Sequence, residues 1–89
     1  MTQEEFASRV SKKFSDDDFK LIDFVYMWHP LISEVEGKDQ VAYLFNQFGI
    51  GIFREMEPKA NEAMRIEVEI SKLKKEIEKL TQELADLKK

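Results

Sequence analysis

The sequence contains no cysteine and only one histidine among its 89 residues. Without cysteine, the chain can form neither a disulfide framework nor a thiolate metal site. The single histidine, His29, cannot build a histidine-rich metal site, and no other residue pattern indicates a cofactor. A chain this short buries a modest fraction of its surface and usually needs a cross-link, a metal or a partner chain. Self-association is therefore the expected additional source of stability.

The chain also lacks an excess of positive charge. It has 14 Lys and Arg residues against 18 Asp and Glu residues, a net charge of −4. Residues 1–57 carry 6 basic and 11 acidic side chains, whereas residues 58–89 carry 8 and 7. Neither part offers the positive field that nonspecific binding to phosphate requires. Nucleic acid is therefore not an expected partner.

Long apolar runs are absent as well. The longest apolar stretch, residues 21–32, is interrupted by Asp23 and His29 and is too short to cross a bilayer. The N-terminus has Glu4 and Glu5 before any apolar run, which does not resemble a signal peptide. We expect no membrane association and a cytoplasmic location.

Two helix starts are recognisable near the N-terminus. Thr2 and Glu5 have the spacing of a capping box, and the spacing of Phe6, Val10 and Phe14 predicts an amphipathic helix over residues 3–14. Ser15 precedes three aspartates that favour the positive end of a helix dipole, so a second helix is expected from there.

Residues 19–28 are apolar on nearly every side, which predicts a helix packed on several faces, although their aromatic and β-branched content also permits a strand. Pro30 should end this element, and residues 33–38 are expected to form a loop. Asp39 is a plausible cap for a third helix that Gly49 closes in a left-handed conformation, unless the helix continues through it. Pro58 fits either the first turn of the last helix or a kink within a longer one.

Residues 58–89 contain the strongest pattern, apolar side chains alternately three and four residues apart. This is the heptad repeat of a coiled coil, with isoleucine frequent at a and leucine at d, the combination that favours two parallel strands. The predicted interface consists of Ala63, Ile66, Ile70, Leu73, Ile77, Leu80, Leu84 and Leu87.

The charges beside this repeat favour the parallel orientation independently. The g positions are all acidic: Glu62, Glu69, Glu76 and Glu83. The e positions are Glu67, Lys74, Thr81 and Lys88. A parallel in-register pair therefore brings two glutamates opposite lysines and only Glu62 opposite a glutamate, whereas an antiparallel pair sets the glutamate rows against each other. A trimer, or folding of the apolar face onto helices of the same chain, are the alternatives.

This repeat resembles a leucine zipper over about 25 residues. DNA-binding zipper proteins carry a basic helix directly before the first heptad. Here that region has Arg54, Lys59 and Arg65 balanced by three glutamates, Glu55, Glu57 and Glu62. A small dimeric DNA-associated regulator, of the kind that compact mobile elements encode, is the alternative function.

Other polar motifs have structural explanations. Residues 16–18 lack the alternating oxygen ligands and the glycine of a calcium loop, so helix capping explains them. His29 has no recognisable nucleophile motif or acidic partner in the sequence and is expected to be structural. Asp23 is expected to lie at an exposed edge or to pair with a lysine. Residues 49–51 lack the third glycine and the preceding strand of a phosphate loop.

Large apolar side chains are dense between residues 19 and 56, more than a three-helix unit of this size accommodates easily. Some of them are expected to form a partner surface, or else a tight core; the residues concerned are Phe24, Trp28, Phe45 and Phe48. The sequence thus predicts an all-α protein in two parts, a unit of about three helices at residues 1–57 and a coiled-coil helix at residues 58–89. We expect a non-enzymatic, homo-oligomeric interaction protein that presents paired aromatic-rich units to a protein partner.

Overall fold

The computed structural model describes residues 1–88, which form four α-helices and no strand. The helices are α1 (Gln3–Ala7), α2 (Asp16–Trp28), α3 (Gly37–Phe48) and α4 (Gly51–Leu87). The molecule measures 64 × 22 × 21 Å because the 37 residues of α4, about 55 Å long, extend far beyond the other three helices. The predicted all-α class with a long C-terminal helix is confirmed. No helix within residues 1–88 is both long and apolar enough to span a membrane.

The core lies where α2 packs against the first half of α4, with α1 and α3 closing the remaining sides. The segment for which helix and strand were both open is helical, and its Ile22 and Val25 are fully buried. Each such side chain contributes about 1.5–3 kcal/mol relative to an exposed position. The buried apolar residues are Phe6, Ile22, Val25, Val41, Ala42, Phe45, Phe53 and Ala60.

The helix predicted over residues 3–14 is wrong beyond Ala7, where α1 ends. The Asn46 side chain accepts a hydrogen bond from the Ser11 backbone N–H at 2.9 Å and donates one to the Arg9 carbonyl at 3.2 Å. In a helix that continued to residue 14, these two backbone groups would instead form hydrogen bonds within that helix. The capping box at Thr2 and Glu5 is confirmed.

The third helix begins before the predicted cap at Asp39. The Ser33 hydroxyl accepts hydrogen bonds from the backbone N–H groups of Val35 and Glu36, both at 3.2 Å, and α3 then starts at Gly37. Asp39 lies inside the first turn of α3 and pairs with Arg9 at 2.9 Å instead of capping the helix. The predicted loop over residues 33–38 is therefore two residues too long.

The break between α3 and α4 depends on Gly49. Its φ of 74° agrees with the predicted positive φ, but its ψ of −164° lies in an extended region that is essentially restricted to glycine rather than in the left-handed helical region. A new helix, α4, then begins at Gly51, so the alternative of one helix running through Gly49 is wrong. Pro58 lies within α4, the second of the two positions considered for it. The division into two parts at residue 57 stays a prediction, and α4 continues through that position.

Candidate functional site at the exposed stem and its junction

The C-terminal half of α4 stands free of the rest of the chain. Every residue from 65 to 88 is exposed, whereas Ala60 is fully buried and Met64 is half-buried. We call residues 1–64 the head and residues 65–88 the stem. The described chain does not fold back over the stem. The alternative in which helices of the same chain cover its apolar face is therefore wrong.

The predicted interface residues form one apolar stripe along the stem. Ile77 and Leu80 are both 62% exposed, although burying side chains of this kind away from water is favourable. Large contiguous apolar patches are uncommon on the surfaces of monomeric proteins. The stripe comprises Ala63, which is half-buried at the head, and the exposed Ile66, Ile70, Leu73, Ile77, Leu80, Leu84 and Leu87.

Charged side chains flank this stripe and are exposed along the stem. Their spacing places the acidic g positions on one side and the e positions, which include two lysines and one glutamate, on the other. The e position without a charge, Thr81, donates its hydroxyl to the Ile77 carbonyl at 2.7 Å. The stem therefore has an apolar centre between borders of different charge.

The four aromatic residues considered as core or partner surface divide between the two roles. Phe45 is buried in the core, and Phe24 and Trp28 are half-buried and pack against it. Phe48, at the end of α3, is 63% exposed. Of the four, only Phe48 is therefore an exposed surface aromatic.

Several exposed apolar side chains of the head were not singled out from the sequence. Met27, Leu31 and Val35 lie exposed at or after the end of α2, and Tyr43 is exposed on α3. Pro30 provides a signal for Leu31 and Val35, because a helix that ends there leaves the following residues without a buried face. Met27 and its neighbours border the junction of head and stem.

An open groove of about 920 Å³ lies at this junction. One wall comes from the end of α2 and the following connection, and the other from α4 around Ala63 and Ile66, the first two positions of the stripe. We call it the junction groove; its lining residues are Tyr26, Met27, Trp28, His29, Pro30, Ile32, Ser33, Glu34, Lys59, Glu62, Ala63, Ile66 and Glu67. Its walls are mixed in character, since apolar side chains alternate with three carboxylates and one lysine.

His29 is the buried polar residue of this groove. It caps the C-terminus of α2, and its Nδ1 accepts a hydrogen bond from the Leu31 backbone N–H at 3.1 Å. Burial, and to a smaller extent the positive charge of Lys59, lower the pKa of His29 below its ordinary value of 6.5. This arrangement shapes the turn after α2, which fits the predicted structural role.

The aspartates near the start of α2 serve capping and pairing. The Ser15 hydroxyl accepts a hydrogen bond from the Asp18 N–H at 3.1 Å, and the Asp18 carboxylate accepts one from the Ser15 N–H at 3.4 Å. Asp23 is half-buried and pairs with the Met1 amino group at 3.1 Å rather than with a lysine. Within residues 1–88, no group of three or more potential metal ligands occurs.

Comparison with known proteins adds no assignment. The chain matches no family model, no curated protein and no solved structure. Its geometry is therefore the basis for a functional proposal.

Proposed function

We propose that this protein is a non-enzymatic interaction protein that dimerises through its stem and presents two heads to a protein partner. The observation that carries this proposal is the exposed apolar stripe with heptad spacing. Seven apolar side chains along the stem remain in water in the single chain, and a second helix would remove them from it.

The proposed dimer is a parallel, in-register coiled coil. In this arrangement Glu69 faces Lys74 of the second copy, and Glu83 faces Lys88. Each exposed pair contributes only about 0.2–1 kcal/mol, but two such pairs occur twice in the dimer and disfavour the antiparallel alternative. A three-stranded stem is the competing assembly, because no polar a position restricts the number of strands.

Dimerisation would give the heads their function through avidity. Each head exposes two aromatic side chains, Phe48 and Tyr43, that suit a protein contact. Two weakly binding heads held on one rigid stem raise the overall affinity for a repeated or dimeric partner without any new contact.

A single engineered cysteine tests the orientation, because the natural chain has none. Leu80→Cys at a d position should form an intermolecular disulfide readily under mild oxidation, since equivalent d positions face each other only in a parallel in-register pair. Lys75→Cys, at an outward-facing position five residues earlier, is the matched control. Equal cross-linking of both variants would count against the proposed arrangement.

The interaction role is tested by affinity capture with three forms of the full chain. The proposal expects a partner that the wild type retains and that both Ile77→Lys, which breaks the stem, and Phe48→Ser, which removes a surface aromatic, lose. A partner retained equally by the Ile77→Lys chain would contradict the role of paired heads.

A further inference from the structure

The junction groove opens at the point where the stripe begins. Ala63 and Ile66 belong both to the groove wall and to the proposed dimer interface. On α4, these residues lie about 60° and 120° around the helix axis from Ala60, whose side chain is buried against the head. The stripe therefore runs beside α2 and not beneath it, and a helix following the stripe towards the head arrives in the groove.

We propose that α4 of a second copy occupies the junction groove, so that each head contacts the α4 helix of the other chain. This inference rests on the proposed parallel dimer and adds to it a contact between head and partner helix. It would bring Trp28 and Met27 of one chain against the first stripe residues of the other.

The apolar residues favour a second copy as the occupant. The stem alone supplies about three heptads, close to the minimum over which a heptad pattern specifies a coiled coil. The small side chain of Ala63 allows two α4 helices to approach closely at the groove. The preceding d position is Lys59, so the apolar layers end there. Any further apolar contact at this end of the dimer therefore has to come from the head, at the junction groove.

Charged side chains form the rim of the groove. Its rim has three carboxylates, those of Glu34, Glu62 and Glu67, against a single lysine, Lys59. A second copy brings a second Lys59 to this acidic rim, together with a second Glu62 and a second Glu67. The added ammonium group reduces, without removing, the repulsion between Glu62 and Glu67 of the partner helix, so the proposal rests on the apolar contacts.

The single tryptophan of the chain provides the first test, because Trp28 lines the groove and is only half-buried. We expect its fluorescence emission to lie at shorter wavelength in the wild-type dimer than in the Ile77→Lys monomer at equal concentration. A dimer mass with unchanged emission would overturn the groove contact and leave the proposed dimer intact. A monomer at every concentration would overturn both.

A pair of matched substitutions provides the second test. Met27, in the groove, and Tyr43, on α3 outside it, are 60% and 61% exposed. Met27→Gln should weaken dimerisation roughly tenfold, because two groove contacts are lost per dimer, whereas Tyr43→Gln should leave the dissociation constant unchanged. Equal dissociation constants for the two variants would overturn the inference.

Discussion

The rings of Phe6 and Phe14 meet edge to face, with their centroids 5.0 Å apart and their planes at 74°. Eight residues of continuous helix would separate the two α-carbons by about 12 Å along the axis. The pair can form only because the chain leaves the helical path after Ala7. Asn46, by binding Arg9 and Ser11, holds this departure in place.

Replacing Asn46 should therefore loosen the N-terminal segment. Asn46→Ala removes two hydrogen bonds to the backbone and should lower the free energy of unfolding by about 1–3 kcal/mol. Urea denaturation measures this difference. Gln47→Ala, at the neighbouring exposed position, is the control and should change little. An Asn46→Ala chain as stable as the wild type would show that the break after α1 does not depend on this side chain.

The packing of α3 against α2 predicts that a side chain at Gly37 destabilises the protein. A Cβ atom there would lie 2.8 Å from Cε1 of Tyr26 and 3.0 Å from Cγ2 of Ile32. Gly37→Ala should destabilise the head by about 1–3 kcal/mol because both neighbours have to move. Gly51→Ala, where a Cβ would meet nothing within 4 Å, is the matched control and should be neutral or slightly stabilising in thermal unfolding. A Gly37→Ala chain more stable than the Gly51→Ala chain would contradict this packing.

The Glu5–Lys38 ion pair between α1 and α3 predicts a loss of stability in acid. The hydrogen bond from the Lys38 ammonium group, followed by that from the Thr2 backbone, lowers the pKa of Glu5 from 4.5 to about 2. A lowered carboxyl pKa contributes stability that is complete above pH 4.5 and is lost as the pH falls towards 2. In the Lys38→Met variant, the unfolding midpoint should depend less on pH over this range than in the wild type. Lys20→Met, at an exposed position of α2, should leave the pH dependence unchanged.

His29 predicts a second, separate pH effect. Its pKa is lowered by burial in the native state, so the unfolded chain binds the proton more readily as the pH drops below 6.5. Stability should therefore decrease from pH 6.5 downwards until the native side chain also titrates. His29→Gln should remove this slope in urea midpoints measured between pH 7.5 and 5. An unchanged slope in this variant would mean that another group titrates there.

Local patterns in the sequence were sufficient for much of the fold. The capping boxes at Thr2 and Ser15 involve residues three apart, and both are present as predicted. The helix predicted over residues 3–14 failed because its end depends on Asn46, about 35 residues away, which periodicity within a segment cannot reveal. The early start of α3, in contrast, has a local basis, because the Ser33 hydroxyl binds backbone N–H groups two and three residues further along the chain.

The same distinction applies to the candidate site. The stripe follows from spacing along one helix, so each of its positions could be identified from the sequence. The junction groove combines the connection after α2 with residues 59–67 of α4, and their meeting is a product of tertiary packing. Met27 was missed for this reason, since its position within an apolar run gives no indication that it borders a groove.

Sedimentation equilibrium of the intact chain, from low to high micromolar concentration, tests self-association through the stem most directly. Two variants complete the measurement: Ile77→Lys, within the stripe, and Val68→Lys, at an exposed β-branched residue outside it. We predict a dimer mass for the wild type and for Val68→Lys, and a monomer mass for Ile77→Lys. A wild-type monomer at every concentration, or equal dissociation of the two variants, would contradict the account.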